Sequence, residues 1–326
     1  MSEFGRRRFL IATNALILAP FPVVAKEDAK IHRIGFLWGG RPSPGLKVFV
    51  GELRKRGWIE GENFSFVHRI AEGRYDRLPE LAAELVSEEV NVILTQQLPS
   101  TIAAKKATQS IPIVMWGNGD PVAYGLVTNL ARPEANVTGV TFLVHEICVK
   151  LLELLKEINP RLEHVAGFLV TTNPGSVPYL RAMHTAAQRL GVKSTHFEVS
   201  TPNDLDAAFE SIRKAKVDTL QLGPEALMFS QRVRIMEFAN RHGLVVGGNA
   251  EVFAKAGAIV SYSPRWAEIP RRAAYFVDKI LRGAKPADLP VEQPRQVEVV
   301  VNLKAAKALG LTIPPSVLIR ADRVIE

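Results

Sequence analysis

One cysteine, Cys148, occurs among 326 residues, so no disulfide can close within the chain and an apolar core must hold the fold. Seven histidines, at positions 32, 68, 145, 164, 184, 196 and 242, lack the i, i+4 spacing and the cysteine partners of a metal site. There is no Gly-x-Ser-x-Gly elbow and no Walker phosphate loop, and Gly39-Gly40-Arg41-Pro42-Ser43-Pro44-Gly45 does not match a dinucleotide fingerprint. Catalytic residues, a metal and a cofactor are therefore not expected. No arginine-rich arm, aromatic-interleaved basic stripe or helix-turn-helix pattern accompanies the excess of 41 Lys and Arg over 33 Asp and Glu, so nucleic acid is not an expected partner. A bilayer span needs ~20 apolar residues in succession. The uncharged run Ile11 to Ala25 is shorter and is broken by Asn14, Pro20 and Pro22.

That run has the form of an export leader. Arg6-Arg7-Arg8-Phe9-Leu10 precedes it and Val23-Val24-Ala25 ends it, which places cleavage after Ala25; the competing reading is a retained anchor. Paired arginines before Phe-Leu are those of the twin-arginine type, whose cargo can cross the membrane folded, with the general route as the alternative. Losing three arginines and Glu3 with the leader leaves 38 basic against 32 acidic side chains, a mildly basic surface. No cysteine stands at the cleavage point to carry a lipid, so a free periplasmic protein is expected.

About 300 residues exceed what one core usually organises, and two lobes are expected. Ile31 to Trp38 reads as a strand, Leu46, Phe49, Val50 and Leu53 recur at helical spacing, and the alternation continues through strands at 63–70, 90–95 and 111–116. After a turn-rich stretch, Ala131 to Gly139, helices and strands alternate again from Glu146 to Tyr262. A helix from Trp266 to Leu281, stopped by Gly283, precedes a proline-punctuated tail with a strand at 297–301 and a helix at 303–309. The fold class is α/β, two doubly wound parallel-sheet lobes joined by a hinge. The expected divisions are 31–141 with 263–290 for the first lobe, and 142–262 with 291–326 for the second.

In parallel α/β sheets ligands bind outside the carboxyl ends of the strands. Trp38, Ser43, Gln96, Gln97, Ser100, Thr101, Asp120, Asn173, Glu225, Asn249 and Tyr262 all fall in such loops and form the candidate ligand site. Each has a plainer role. Ser100 and Thr101 open a helix, where free amides favour a ligand carboxylate or merely a cap. Asp120 and Glu225 can pair with a ligand ammonium, or hold a turn and complement a helix dipole respectively. Asn173 precedes Pro174 and forms turns; Trp38 and Tyr262 can stack on a ligand or plug a lobe surface. Gln96 and Gln97 offer uncharged hydrogen bonds or are simply exposed. Cys148 reads as a small core residue.

The order of Arg56-Gly57-Trp58-Ile59-Glu60-Gly61-Glu62-Asn63, Ala71-Glu72-Gly73-Arg74-Tyr75-Asp76-Arg77-Leu78-Pro79, Gly119-Asp120-Pro121-Val122, Asp288-Leu289-Pro290-Val291-Glu292-Gln293-Pro294 and the tail Asn302 to Pro314 resembles the tryptophan/tyrosine-type group of ABC-transporter substrate-binding proteins. The resemblance runs from Arg33 to the end and implies the type I periplasmic-binding-protein fold and no enzyme activity. It also implies a small-molecule ligand, in some members an amino acid or related metabolite, passed to an inner-membrane ABC permease by a monomer. The chain departs from the group where a Gly-Thr-Pro type loop usually follows the third strand and Gln96-Gln97-Leu98-Pro99 stands instead; its second-lobe loop reads Gly247-Gly248-Asn249-Ala250. A periplasmic sensing module for a membrane signalling partner is the alternative, and an exported α/β enzyme a third.

Overall fold

Apolar strands with an amphipathic helix between each pair bury themselves on both faces, and the computed structural model builds two such sheets. It describes residues 31–40, 45–294 and 296–326. The leader sequence and Ser43 lie outside the described residues.

The first sheet is built from β1 (His32–Trp38), α1 (Gly45–Lys55), β2 (Phe64–Ile70), α2 (Leu78–Ser87), β3 (Val92–Gln96), α3 (Leu98–Ala107), β4 (Ile113–Asn118) and β5 (Val137–Phe142). The chain then enters the second with α4 (Val144–Ile158), β6 (His164–Val170), α5 (Ser176–Arg189), β7 (Lys193–Val199), α6 (Asp204–Lys214), β8 (Thr219–Leu222), α7 (Ala226–Arg241), β9 (Val245–Gly248), α8 (Glu251–Ala256) and β10 (Val260–Pro264). It returns to the first lobe for α9 (Glu268–Leu281) and β11 (Val291–Glu292), and finishes in the second with β12 (Val297–Asn302), α10 (Leu303–Ala308), α11 (Pro315–Arg320) and β13 (Arg323–Ile325). Strand order is β11-β5-β4-β3-β1-β2 in one sheet and β13-β12-β10-β9-β8-β6-β7 in the other. Pairing is parallel except between β10 and β12, where Val260 faces Val301 antiparallel. Because Val291 and Glu292 pair with Gly139 and Val140, the last crossing falls after Glu292.

Both layers of the first lobe can be read from its side chains. A Cβ on Gly35 would meet Leu85 of α2, whereas Phe49 of α1 stacks on Trp116 of β4 from the other face, 6.2 Å between centroids. α9 closes that second face, tied to the loop after α1 by the Trp58 indole N–H donating to Asp278 Oδ1 at 2.9 Å. In the second lobe Gly247 leaves room for Leu155 of α4 and Gly248 for Phe253 of α8, one on each side of the sheet.

One strand falls where sequence reading places turns. β5 carries Thr138, Gly139 and Thr141, which interrupt any apolar run, yet every residue of it is buried. The threonines are satisfied: Thr138 Oγ1 donates to the Leu289 and Pro290 carbonyls at 3.0 Å, Thr141 Oγ1 to the Gly119 carbonyl at 2.6 Å. Gly139 adopts φ +127°, and a Cβ there would sit 2.1 Å from the Met115 carbonyl oxygen, so only glycine lets β5 approach β4.

Candidate ligand cleft between the two lobes

The carboxyl ends of β2, β3 and β4 in one sheet and of β6 and β8 in the other turn into loops that meet. Among the described residues four contacts join them, and in each the first lobe supplies the side chain and the second lobe the backbone. Gln97 Nε2 donates to the Pro224 carbonyl at 2.8 Å. Tyr124 donates its hydroxyl to the Pro174 carbonyl at 2.9 Å. The Tyr75 hydroxyl lies against the Ala226 amide. Leu98 reaches Gly175, a Cβ on which would stand 3.6 Å from Leu98 Cδ2.

Gln97 is central to this junction. Its amide oxygen accepts from the Tyr75 hydroxyl at 3.0 Å, so the first lobe holds one end of the amide while the second holds the other. It is buried and sits at φ +68°, ψ 158°, a region that costs a residue with a Cβ roughly 1–3 kcal/mol. Gln96, its neighbour, shares a cross-strand row with Trp38 and Trp116, and thus projects from the α1 face of the sheet. The two glutamines therefore do different things, and neither is exposed. Trp38 is buried against Gly40, where a Cβ would approach the indole to 2.7 Å.

Ser100 and Thr101, in the first turn of α3, are both buried but differ in partners. Thr101 Oγ1 is within 2.8 Å of Thr95 Oγ1 and 3.2 Å of the Gln97 carbonyl, an internal brace. Ser100 is fully buried and its hydroxyl has no hydrogen-bond partner. Such an atom at a helix amino end, beside free backbone amides, is suited to an anion. Asp120 takes the plainer of its two readings, its Oδ1 accepting from the Val122 and Ala123 amides in an Asx-type turn.

On the second lobe Glu225 precedes the first turn of α7 and is buried. Asn173 Nδ2 donates to its Oε2 at 2.6 Å and Ser176 Oγ to its Oε1 at 2.9 Å. Burial pushes the carboxyl above its ordinary range, and these two bonds only partly oppose that. Nearby, Tyr75 is raised well above the usual phenol value by burial first and by the Glu225 charge second, with the Ala226 amide opposing. Asn249 is a brace: it accepts from Tyr179 at 2.8 Å and donates to the Tyr262 carbonyl at 3.1 Å. Tyr262 is half-buried, and its phenol is raised by burial, with Lys150, Glu153 and Glu146 of α4 as its charged neighbours. Beneath Asn249, Gln221 donates to Cys148 Sγ at 3.1 Å, and burial pushes the thiol to about 12, so Cys148 is an inert core group.

Tyr75, Tyr124 and Trp266 escaped the sequence reading, and Ser176 is not among its candidate residues. Trp266, in the segment that crosses from β10 to α9, meets Phe142 of the first lobe edge-on at 5.3 Å and Phe229 of the second at 6.0 Å, and its indole N–H is buried without a partner. The loop after β2 obeys the same strand-end rule as the others and would have yielded Tyr75. Two surface grooves, of about 410 and 480 Å³, flank edge strand β7 and contain none of the interlobe residues.

Residues 47–325 match the family described as ABC transporter substrate binding protein. The chain belongs to that family. A curated relative, the tyrosine-binding protein of Clostridioides difficile, is 25% identical over 81% of this chain and 76% of its own. Among solved structures, a conserved domain protein from Vibrio cholerae superposes with a TM-score of 0.84 at 27% identity, covering 90% of this chain and all of that one. A Streptococcus domain in complex with L-Trp gives 0.83 at 23%, covering 91% and 100%. A ligand-free, open substrate-binding protein with adhesive properties from Clostridium difficile gives 0.62 at 26%, covering 90% and 99%. This substrate-binding protein thus has the type I periplasmic-binding-protein fold.

Proposed function

We propose that this substrate-binding protein captures an amino-acid-type zwitterion between its lobes and delivers it to an inner-membrane ABC permease. The observation that carries the reading is the Gln97–Pro224 hydrogen bond. It fixes the amino end of α3 opposite that of α7, with Ser100 three residues beyond one partner and Glu225 next to the other. A ligand carboxylate is taken by Ser100 and the α3 amides. A ligand ammonium meets Glu225, whose ionised form lacks any cationic partner within hydrogen-bonding reach among the described residues and gains one from the ligand. The aromatic group of Trp266, Phe142 and Phe229 offers an apolar surface for the side group.

The protein acts as a monomer by binding, in keeping with its family, and carries out no reaction of its own. The Arg6-Arg7-Arg8 leader takes it to the periplasm, by the twin-arginine route. Calorimetric titration with an L-amino acid, the matching amine and the matching deaminated acid tests the two-ended recognition. Each truncated compound should bind roughly 10- to 100-fold more weakly, the range for one charge-assisted hydrogen-bonding end. Ser100→Ala should weaken the acid and spare the amine, and Glu225→Gln the reverse. Equal binding of all three compounds would refute the reading.

A further inference from the structure

We infer that Gln97 and Tyr75 form a latch: positioning residues that hold the lobes together through the chain's own hydrogen bonds, so that ligand contacts supply only part of the drive to close. The inference rests on the receptor reading above, since a latch matters only where opening and closing are part of the work.

The four interlobe contacts fall into one pattern. At the centre, the Tyr75 hydroxyl donates to Gln97 Oε1 and Gln97 Nε2 donates to the Pro224 carbonyl, with the Ala226 amide on the Tyr75 side of that corner. This relay crosses between the lobes at Gln97 and ends on the corner between β8 and α7. At the rim, Tyr124 repeats the device on Pro174, and Leu98 packs beside it on Gly175. Gln97 is engaged at both ends of its amide by protein, which marks it as a bridge. Its left-handed φ supports the assignment, because a strained rotation at the head of α3 is what aims the side chain across the gap.

A hydrogen bond made only in the closed form shifts the closed-to-open ratio by roughly five-fold, given the usual net worth of such bonds. Apparent ligand affinity falls as the closed fraction falls, although no ligand contact has been touched.

Spin labels on Lys106→Cys in α3 and Lys214→Cys in α6, both exposed, report the lobe separation by double electron–electron resonance. Cys148 does not compete for label, being buried with its thiol pushed to about 12. Gln97→Met keeps length and volume while deleting both bonds, and Tyr124→Phe removes the rim bond without entering the core. In ligand-stripped protein each should move weight to longer distances, by roughly five-fold in the closed-to-open ratio. Gln97→Glu should close when protonated, as it then donates to Pro224, and open as its carboxyl ionises, a response no merely structural role produces. Distance distributions of Gln97→Met and Tyr124→Phe that coincide with wild type, or a wild type already open, would overturn the latch. No ligand enters this measurement, so a protein that closes as described yet fails to bind any zwitterion would sink the proposed ligand and leave the latch standing.

Discussion

At the scale of single residues, Glu225 carries the main electrostatic liability of the cleft. Its folded-state affinity for a proton is raised by burial, so its contribution to stability is fully present below the ordinary value of 4.5 and is lost as pH rises through the higher folded value. Glu225→Gln removes that loss. The melting temperature of the variant relative to wild type should therefore climb as pH goes from 4.5 to 8, in ligand-stripped protein followed by calorimetry; a constant difference would show that folding leaves the proton affinity of Glu225 unchanged. The residue itself was legible, since glutamate at a strand-to-helix corner fits the rule for cleft residues. What was not legible is which partner each polar group takes. Asp120 and Thr101 serve their own turns, Asn249 braces Tyr179, and Gln97 crosses to the other lobe. These outcomes depend on strand parity and on one left-handed φ, neither of which a list of residue types encodes.

Among the elements, β5 depends most on a single position. Gly139→Ala would set a methyl group 2.1 Å from the Met115 carbonyl at a φ of +127°, and should destabilise the chain by ~3 kcal/mol or more, read from the denaturant midpoint. A midpoint within error of wild type would mean that β4 and β5 can part without loss. Long periodic elements were read correctly because each repeats its pattern over several turns: α4 buries Ile147, Cys148, Leu151, Leu152 and Leu155 on one face. β5, α8, α11 and β13 were not, for they are short and take their form from neighbours. Thr138 and Thr141 look like loop residues until the carbonyls of Leu289, Pro290 and Gly119 are brought to them. The antiparallel turn from β10 to β12 likewise follows from the tail returning to the second sheet, a long-range event with no local signal.

In the whole molecule the two sheets are tied by three crossings among the described residues, after β5, β10 and β11, and by the side-chain contacts of Tyr75, Gln97, Leu98 and Tyr124. Crossings that lie side by side allow rotation about a common axis, whereas the cleft contacts resist it. A ligand shifts such an equilibrium only by what it gains in the closed form, so it must touch both lobes, and the proposed reading assigns those contacts to Ser100 and Glu225. The most direct test is native mass spectrometry of the freshly purified protein under conditions that preserve noncovalent complexes. The account predicts one bound molecule per chain with the mass of an amino acid or close relative, lost in Glu225→Ala. A co-purified molecule without an amino group, retained unchanged in that variant, would contradict it.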